Sequence, residues 1–255
     1  MSRILLLALC GSAAVAQVDL APPRRGVTAG DSGSLRPLLG VAGSLTAGAP
    51  LRGGVVSAAS SGRFTLVKTH DTVEVLLDEE TISVADAPEG RAIFAFTPGG
   101  APGLAYFPAT GGVMLWEGRA FRPAWSLNGV EVLAAAVRPH DIAAFAAAGE
   151  DGVRIETRRL RDGQLTAIET LAQARGPVLL GSDGAVVYWD GERLIANLAG
   201  SPPLEAPLPH PPAGFEQAGE RLIVMQCGKW SFGLELVAGR ARLFQLPAAP
   251  VEAGR

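Results

Sequence analysis

Gly30-Asp31-Ser32-Gly33-Ser34 places a serine between an acid and a glycine, a setting that could expose a hydroxyl nucleophile. Such a serine needs a base within hydrogen-bond reach and a third group to orient that base. The chain has three histidines, His70, His140 and His210, all downstream of Ser32. Two precede an aspartate, in His70-Asp71 and His140-Asp141, and His210 stands among prolines. Three imidazoles that converged could hold a metal ion. Neither pair has helical ligand spacing, so polar turn residues in solvent are the expected role. Carboxylates gather at residues 77–81 (LDEET) and 149–152 (GEDG). Paired acids can hydrolyse glycosidic bonds, but acidic runs at turns are more simply solvated loops. Residues 154–163 (RIETRRLRDG) put Arg154 and Arg158 on one strand face and Arg159 and Arg161 on the other. These arginines suit an anion, or they keep a sheet edge from pairing with another chain; the protective role is expected. Trp116 and Trp189 end two apolar runs, where indole rings either stack on sugars or cap a core; the core role is expected.

The serine segment resembles the nucleophile segment of trypsin-like proteases, which place His and Asp upstream of the serine. No His precedes Ser32. It is also similar to the Gly-Asp-Ser-Leu esterases, which set the serine directly after a buried strand and carry a downstream Asp-x-x-His. Neither feature is present around RRGVTA or His210. A flexible turn is the simpler reading of Ser32. Phosphate-loop, dinucleotide and paired CxxC patterns are missing as well. The sequence therefore assigns no catalytic, cofactor-binding or metal-binding residue.

The first 16 residues have the form of a secretory signal peptide: Arg3, the apolar run ILLLALC, then Ala14-Val15-Ala16 as a small-residue cleavage site. That run is too short to span a bilayer, which takes about 20 apolar residues. Its removal would take Cys10 and leave Cys227 as the one thiol, read as a small buried hydrophobe. A secreted or periplasmic protein is the expectation, with no transmembrane segment in the mature chain. The net charge of −3 argues against nucleic acid as a partner.

Side chains scattered this widely do chemistry only if a fold gathers them. The composition favours short strands: 48% hydrophobic residues, 18% charged, with 32 Gly and 19 Pro in 255 residues. Asn-Gly and Asp-Gly pairs suit tight hairpins because both central positions take positive φ. They recur at Asn128-Gly129, Asp151-Gly152, Asp162-Gly163, Asp183-Gly184 and Asp190-Gly191. Residues 56–67 (VSAASSGRFTLV) and 84–95 (VADAPEGRAIFA) echo each other 28 positions apart, each with a Gly-Arg expected to turn one strand into the next. Looser copies are residues 132–147 (VLAAAVRPHDIAAFAA), 177–189 (PVLLGSDGAVVYW) and 215–225 (FEQAGERLIVM). From the second copy onward the starts lie roughly 40–50 residues apart, the period of four-stranded radial repeats. The first interval is too short for such a unit, so either the first blade lacks an outer strand or the Gly-Arg echo is partly chance. Residues 141–149, rich in alanine, are expected as strand rather than as a short helix capped by Asp141. Residues 201–214 (SPPLEAPLPHPPAG) are expected as a rigid extended connector.

Strand–turn–strand units such as SAASSGRFTLV, VADAPEGRAIFAF and LLGSDGAVVYW resemble the β-propeller repeat proteins secreted by bacteria, broadly of WD40 and YVTN type. The chain lacks the Gly-His and Trp-Asp signatures of WD40 blades and any Tyr-Val-Thr-Asn run. The resemblance therefore implies an architecture and no functional residue. The expectation is an all-β protein: signal peptide 1–16, flexible leader 17–34, and one β-propeller over 35–250 with five or six irregular blades. Residues 35–41 and 241–247 are expected to pair in the last blade and close the ring. The functional expectation is an extracytoplasmic binding or scaffold module whose protein or glycan partner meets one loop face. The alternative is a carbohydrate-active hydrolase or lyase whose carboxylates converge at the channel.

Overall fold

Alternating apolar residues broken by glycine turns give 23 strands and no helix among the described residues, which in this computed structural model are 22–30, 33–237 and 240–247. The strands form six antiparallel sheets, each ordered as the chain runs. The first has three strands: β1 (Arg24–Gly30), β2 (Ser34–Val41) and β3 (Ser44–Ala47). Five four-stranded sheets follow. The second holds β4 (Ser57–Ser61), β5 (Phe64–Lys68), β6 (Thr72–Leu77) and β7 (Glu80–Asp86). The third holds β8 (Ile93–Phe96), β9 (Gly103–Phe107), β10 (Gly112–Trp116) and β11 (Phe121–Ser126). The fourth holds β12 (Val132–Arg138), β13 (Ile142–Gly149), β14 (Gly152–Arg159) and β15 (Leu165–Leu171). The fifth holds β16 (Val178–Leu180), β17 (Val186–Trp189), β18 (Arg193–Asn197) and β19 (Leu204–Pro207). The sixth holds β20 (Phe215–Gln217), β21 (Leu222–Cys227), β22 (Trp230–Val237) and β23 (Arg240–Gln245).

Both faces of each sheet are apolar near the centre, so each must stack on two neighbours. Six clusters fill the six gaps. Trp116, Phe94 and Leu66 pack between the second and third sheets, and Phe145 and Tyr106 between the third and fourth. Ile155 and Tyr188 lie between the fourth and fifth, and Cys227, Leu194 and Val187 between the fifth and sixth. Leu38, Leu45 and Leu222 fill the gap from the sixth back to the first, and Val27, Leu35 and Val67 that from the first to the second. The ring is closed, and the fold is a six-bladed β-propeller. Two innermost strands carry small side chains, in Ser57-Ala58-Ala59 and Ala134-Ala135-Ala136, and β16 and β20 are only three residues long, which lets the sheets approach one axis.

The seam departs from expectation. Residues 35–41 and 241–247 do not share a sheet: β2 is flanked on both edges by β1 and β3, and β23 is the outer strand of the sixth blade. A strand with both edges taken has no ladder to offer. Ala29, late in β1, lies beside the starting residues of the inner strands, and Arg24 and Arg25 lie beside the β4–β5 turn at their far ends. β1 thus runs opposite to β4. The first sheet therefore fills the outer three positions of a blade. Its inner edge meets the sixth blade directly, with Val27 N–H donating to Ala218 O at 2.7 Å. At Gly26, a Cβ would stand 1.7 Å from that same carbonyl oxygen, so the close approach requires glycine.

Three expected boundaries also shift. β1 lies inside the stretch expected as leader, because Arg24–Gly30 pairs with β2. β19 runs through the proline-rich stretch expected as connector, pairing Leu204 with Ala196 and Pro207 with Arg193 at the outer edge, where proline is tolerated. Gly62-Arg63 turns β4 into β5, but Gly90-Arg91 sits in the link from β7 to β8. The second blade has all four strands, so the echo does not mark one repeated unit. Residues 142–149 are strand, as expected. The expected signal peptide and Ser32 lie outside the described residues.

Candidate functional site

Each blade-to-blade link delivers the chain to the start of an inner strand, so those links and starts collect on one face around the axis. There they enclose a cavity of about 280 Å³. Its wall comes from residues 56–59, 91–94, 133–135, 178–179 and 215–217, with Ala29 completing the circle. The wall is mostly alanine, valine, leucine, isoleucine and phenylalanine. Ser57, Arg91, Glu216 and Gln217 are its polar members. Ser57 Oγ bonds both the N–H and the carbonyl of Ala92 at 3.0 Å, which fixes the link carrying Arg91.

Glu216 projects from β20 across the seam. One carboxylate oxygen accepts the Ala29 N–H at 2.7 Å and the other the Thr28 hydroxyl at 3.0 Å. These bonds complete the inner edge of β1, where a first-blade inner strand would otherwise pair. Burial in the apolar channel is the larger influence and pushes the carboxyl up to about 7; the two hydrogen bonds pull the other way. The surface of Glu216 is only partly covered, but the enclosing protein removes most of its hydration. Arg91 is exposed at the rim and makes no hydrogen bond or ion pair among the described residues.

The residues singled out in the sequence lie elsewhere. His70 is at the β5–β6 turn, 3.8 Å from Glu89, and His210 is in the link before β20. His140 and Asp141 form the β12–β13 turn with φ of 64° and 57°, a left-handed conformation that His and Asp tolerate better than most residues. The three histidines do not converge, and no group of metal-ligating side chains gathers among the described residues. Asp78 and Glu79 turn β6 into β7 and pair with Arg63 and Arg24. Glu150 and Asp151 are exposed at the β13–β14 turn. None of these acids lines the channel cavity.

Arg154 and Arg158 both fold onto Glu156, at 2.8 and 2.6 Å, and cover that carboxylate. The expected edge protection fails for a topological reason: β14 is paired on both sides, and the edge belongs to β15. Trp116 and Trp189 are buried in the core. Cys227 is fully buried between the fifth and sixth blades, and burial pushes its thiol up. A second cavity, of about 380 Å³, opens at the other end of the seam beside Arg24, Arg25 and Arg63. Those arginines are already met by Glu79, Glu235 and Asp78.

Sequence reasoning missed Glu216 and Arg91. A visible signal for Glu216 was a charged residue, flanked by Phe215 and Gln217, at the start of a copy of the expected repeat. Arg91 was read as part of a hairpin turn, and only the three-dimensional path brings it to the rim.

No family profile matches the chain, and no characterised protein matches it in sequence. Solved structures do match it in shape. A chain of the nidogen/laminin complex superposes with a TM-score of 0.60 at 11% identity, covering 87% of this chain and 93% of that one. Kuenenia stuttgartiensis hydrazine synthase gives 0.51 at 12% identity over 84% and 77% of the two chains. The Cps50 (Swd1) β-propeller domain of Myceliophteria thermophila gives 0.50 at 13% identity over 75% and 71%. Likeness at such low identity speaks to fold alone, and the fold it supports is the β-propeller.

Proposed function

We propose that this protein is a non-catalytic binding module working outside the cytoplasm, whose protein or glycan partner meets the face around the channel mouth. The observation that carries the reading is the convergence of five inner strands, with β1 completing the circle, on one mostly apolar cavity with a few polar groups at its rim, the usual make-up of a binding site. The signal-like first 16 residues support the location. Binding to a glycan array and to named extracellular proteins tests the partner. Alanine at Arg91, Glu131 and Arg175 on the link-bearing face should weaken it at least tenfold. Alanine at Arg63, Asp183 and Glu220, in turns at the far ends of the inner strands, should leave it intact. Equal loss from both sets contradicts the reading, as does recovery of the native protein in the cytoplasmic fraction.

One observation favours a catalytic alternative: a carboxyl near 7 is suited to act as a general acid. Glycoside hydrolysis by the common route needs a second carboxylate about 5–10 Å away. Glu216 is the one acid lining this cavity among the described residues, and that supports binding over hydrolysis. Release of reducing ends from a polysaccharide panel, abolished by Glu216→Gln, would reverse the preference.

A further inference from the structure

Two ionisable groups of opposite sign line the channel cavity, and neither meets an opposite charge among the described residues. Glu216 is met by two uncharged donors, Thr28 and Ala29 N–H. Arg91 has five N–H donors and no partner among the described residues. The two form no ion pair with each other. Arg91 is the one other ionisable group on the cavity wall. Of the elements packed on β20, β1 carries Arg24 and Arg25 at its far end, held by Glu79 and Glu235. β4 has no ionisable side chain, and that of β21, Cys227, faces the fifth blade.

Removing a carboxylate from water is costly unless a cation or strong donors replace the lost hydration. A cationic ligand would do so at Glu216 and leave Arg91 unused. An anionic ligand would suit Arg91 and oppose Glu216. A molecule bearing both charges satisfies both groups and adds no net charge to an apolar cavity. At about 280 Å³, the cavity is below the ~300–1,000 Å³ span of clefts for drug-sized ligands. We infer that the channel mouth binds a small zwitterion of amino-acid size, with its ammonium on Glu216, its carboxylate on Arg91 and its apolar body against Phe94, Leu133 and Val178. The inference rests on reading the channel mouth as the binding face.

Calorimetric titration of the full chain at pH 8 tests it, using L-leucine and 5-aminopentanoate as probes. Isopentylamine and 4-methylpentanoate serve as single-charge controls. At least one zwitterion should bind saturably, tenfold or more tighter than either control. Glu216→Gln should remove the preference over the acid, and Arg91→Gln the preference over the amine. Arg91 is exposed, so its variant should fold normally even where a change at the seam does not. At pH 5, where Glu216 holds its proton, affinity should fall about 100-fold for a group titrating near 7. Failure of both zwitterions to bind at millimolar concentration overturns the inference, as does binding that neither variant weakens. A partner held on the link-bearing face by a protein that ignores both zwitterions overturns this inference alone. Zwitterion binding with no such partner would count against the broader reading instead.

Discussion

Replacing Glu216 with glutamine should change how stability depends on pH, because the carboxyl sits in a channel that disfavours its charge. Its titration point rises from 4.5 to about 7 on folding. Below pH 4.5 the folded and unfolded chains both hold the proton, and the contribution to stability is complete. Between 4.5 and 7 the unfolded chain has released its proton while the folded chain keeps it, so stability falls as pH rises. Above 7 both are ionised and the contribution is lost. Over the whole window this amounts to about 3 kcal/mol, reduced to about 1–2 kcal/mol where channel water screens the charge. Glutamine preserves the acceptor for Ala29 N–H and cannot ionise. Urea denaturation of both proteins at half-unit steps from pH 5 to 8 should show the variant gaining on the parent by about 1–3 kcal/mol. In thermal melts that is roughly 2–12 °C for a protein of this size. Contributions common to both proteins cancel in the difference. Parallel pH profiles would refute the reasoning, as would a variant that loses ground as pH rises.

Three further changes probe the packing. Gly26→Ala drives a methyl group into the Ala218 carbonyl; it should cost at least about 2 kcal/mol in urea denaturation and give the same m-value if the ring still unfolds as one unit. Trp116→Ala should cost about 3–5 kcal/mol, whereas Trp116→Phe should cost less than half of that, because the buried Nε1 has no hydrogen-bond partner to lose. Cys227 should resist a thiol reagent in native buffer and react in 6 M urea, read by peptide mass spectrometry. Cys227→Ser should cost about 1–3 kcal/mol, since the hydroxyl would be buried among Ile223, Met225 and Leu234.

Local chemistry made much of the ring legible. Asp183-Gly184 and Asp190-Gly191 do turn strands, with Gly184 and Gly191 at positive φ of 89° and 110°, and residues 132–147 and 215–225 are first hairpins of their blades. Other signals misled because the same letters serve different purposes. Gly62-Arg63 and Gly90-Arg91 occupy a hairpin turn and an interblade link, and Asn128-Gly129 lies in a link too. Composition hid β1 and β19, whose glycines and prolines are affordable because each lies at the end of its sheet. The cavity was not legible at all. Glu216 and Arg91 are 125 positions apart in the numbering, and nothing in linear spacing records that two inner-strand starts share one axis. The seam was misjudged because a side-chain carboxylate and one backbone hydrogen bond replace the expected strand pairing.

Hydrogen exchange at the Val27 and Ala29 amides tests the closed ring most directly. Both donate across the seam, to Ala218 O and to Glu216. The account predicts protection comparable to the ladder amides of β5 and β9, with Ala29 losing protection selectively in Glu216→Ala. Exchange at both amides as fast as in the exposed Glu150-Asp151 turn would mean the first and sixth blades do not meet.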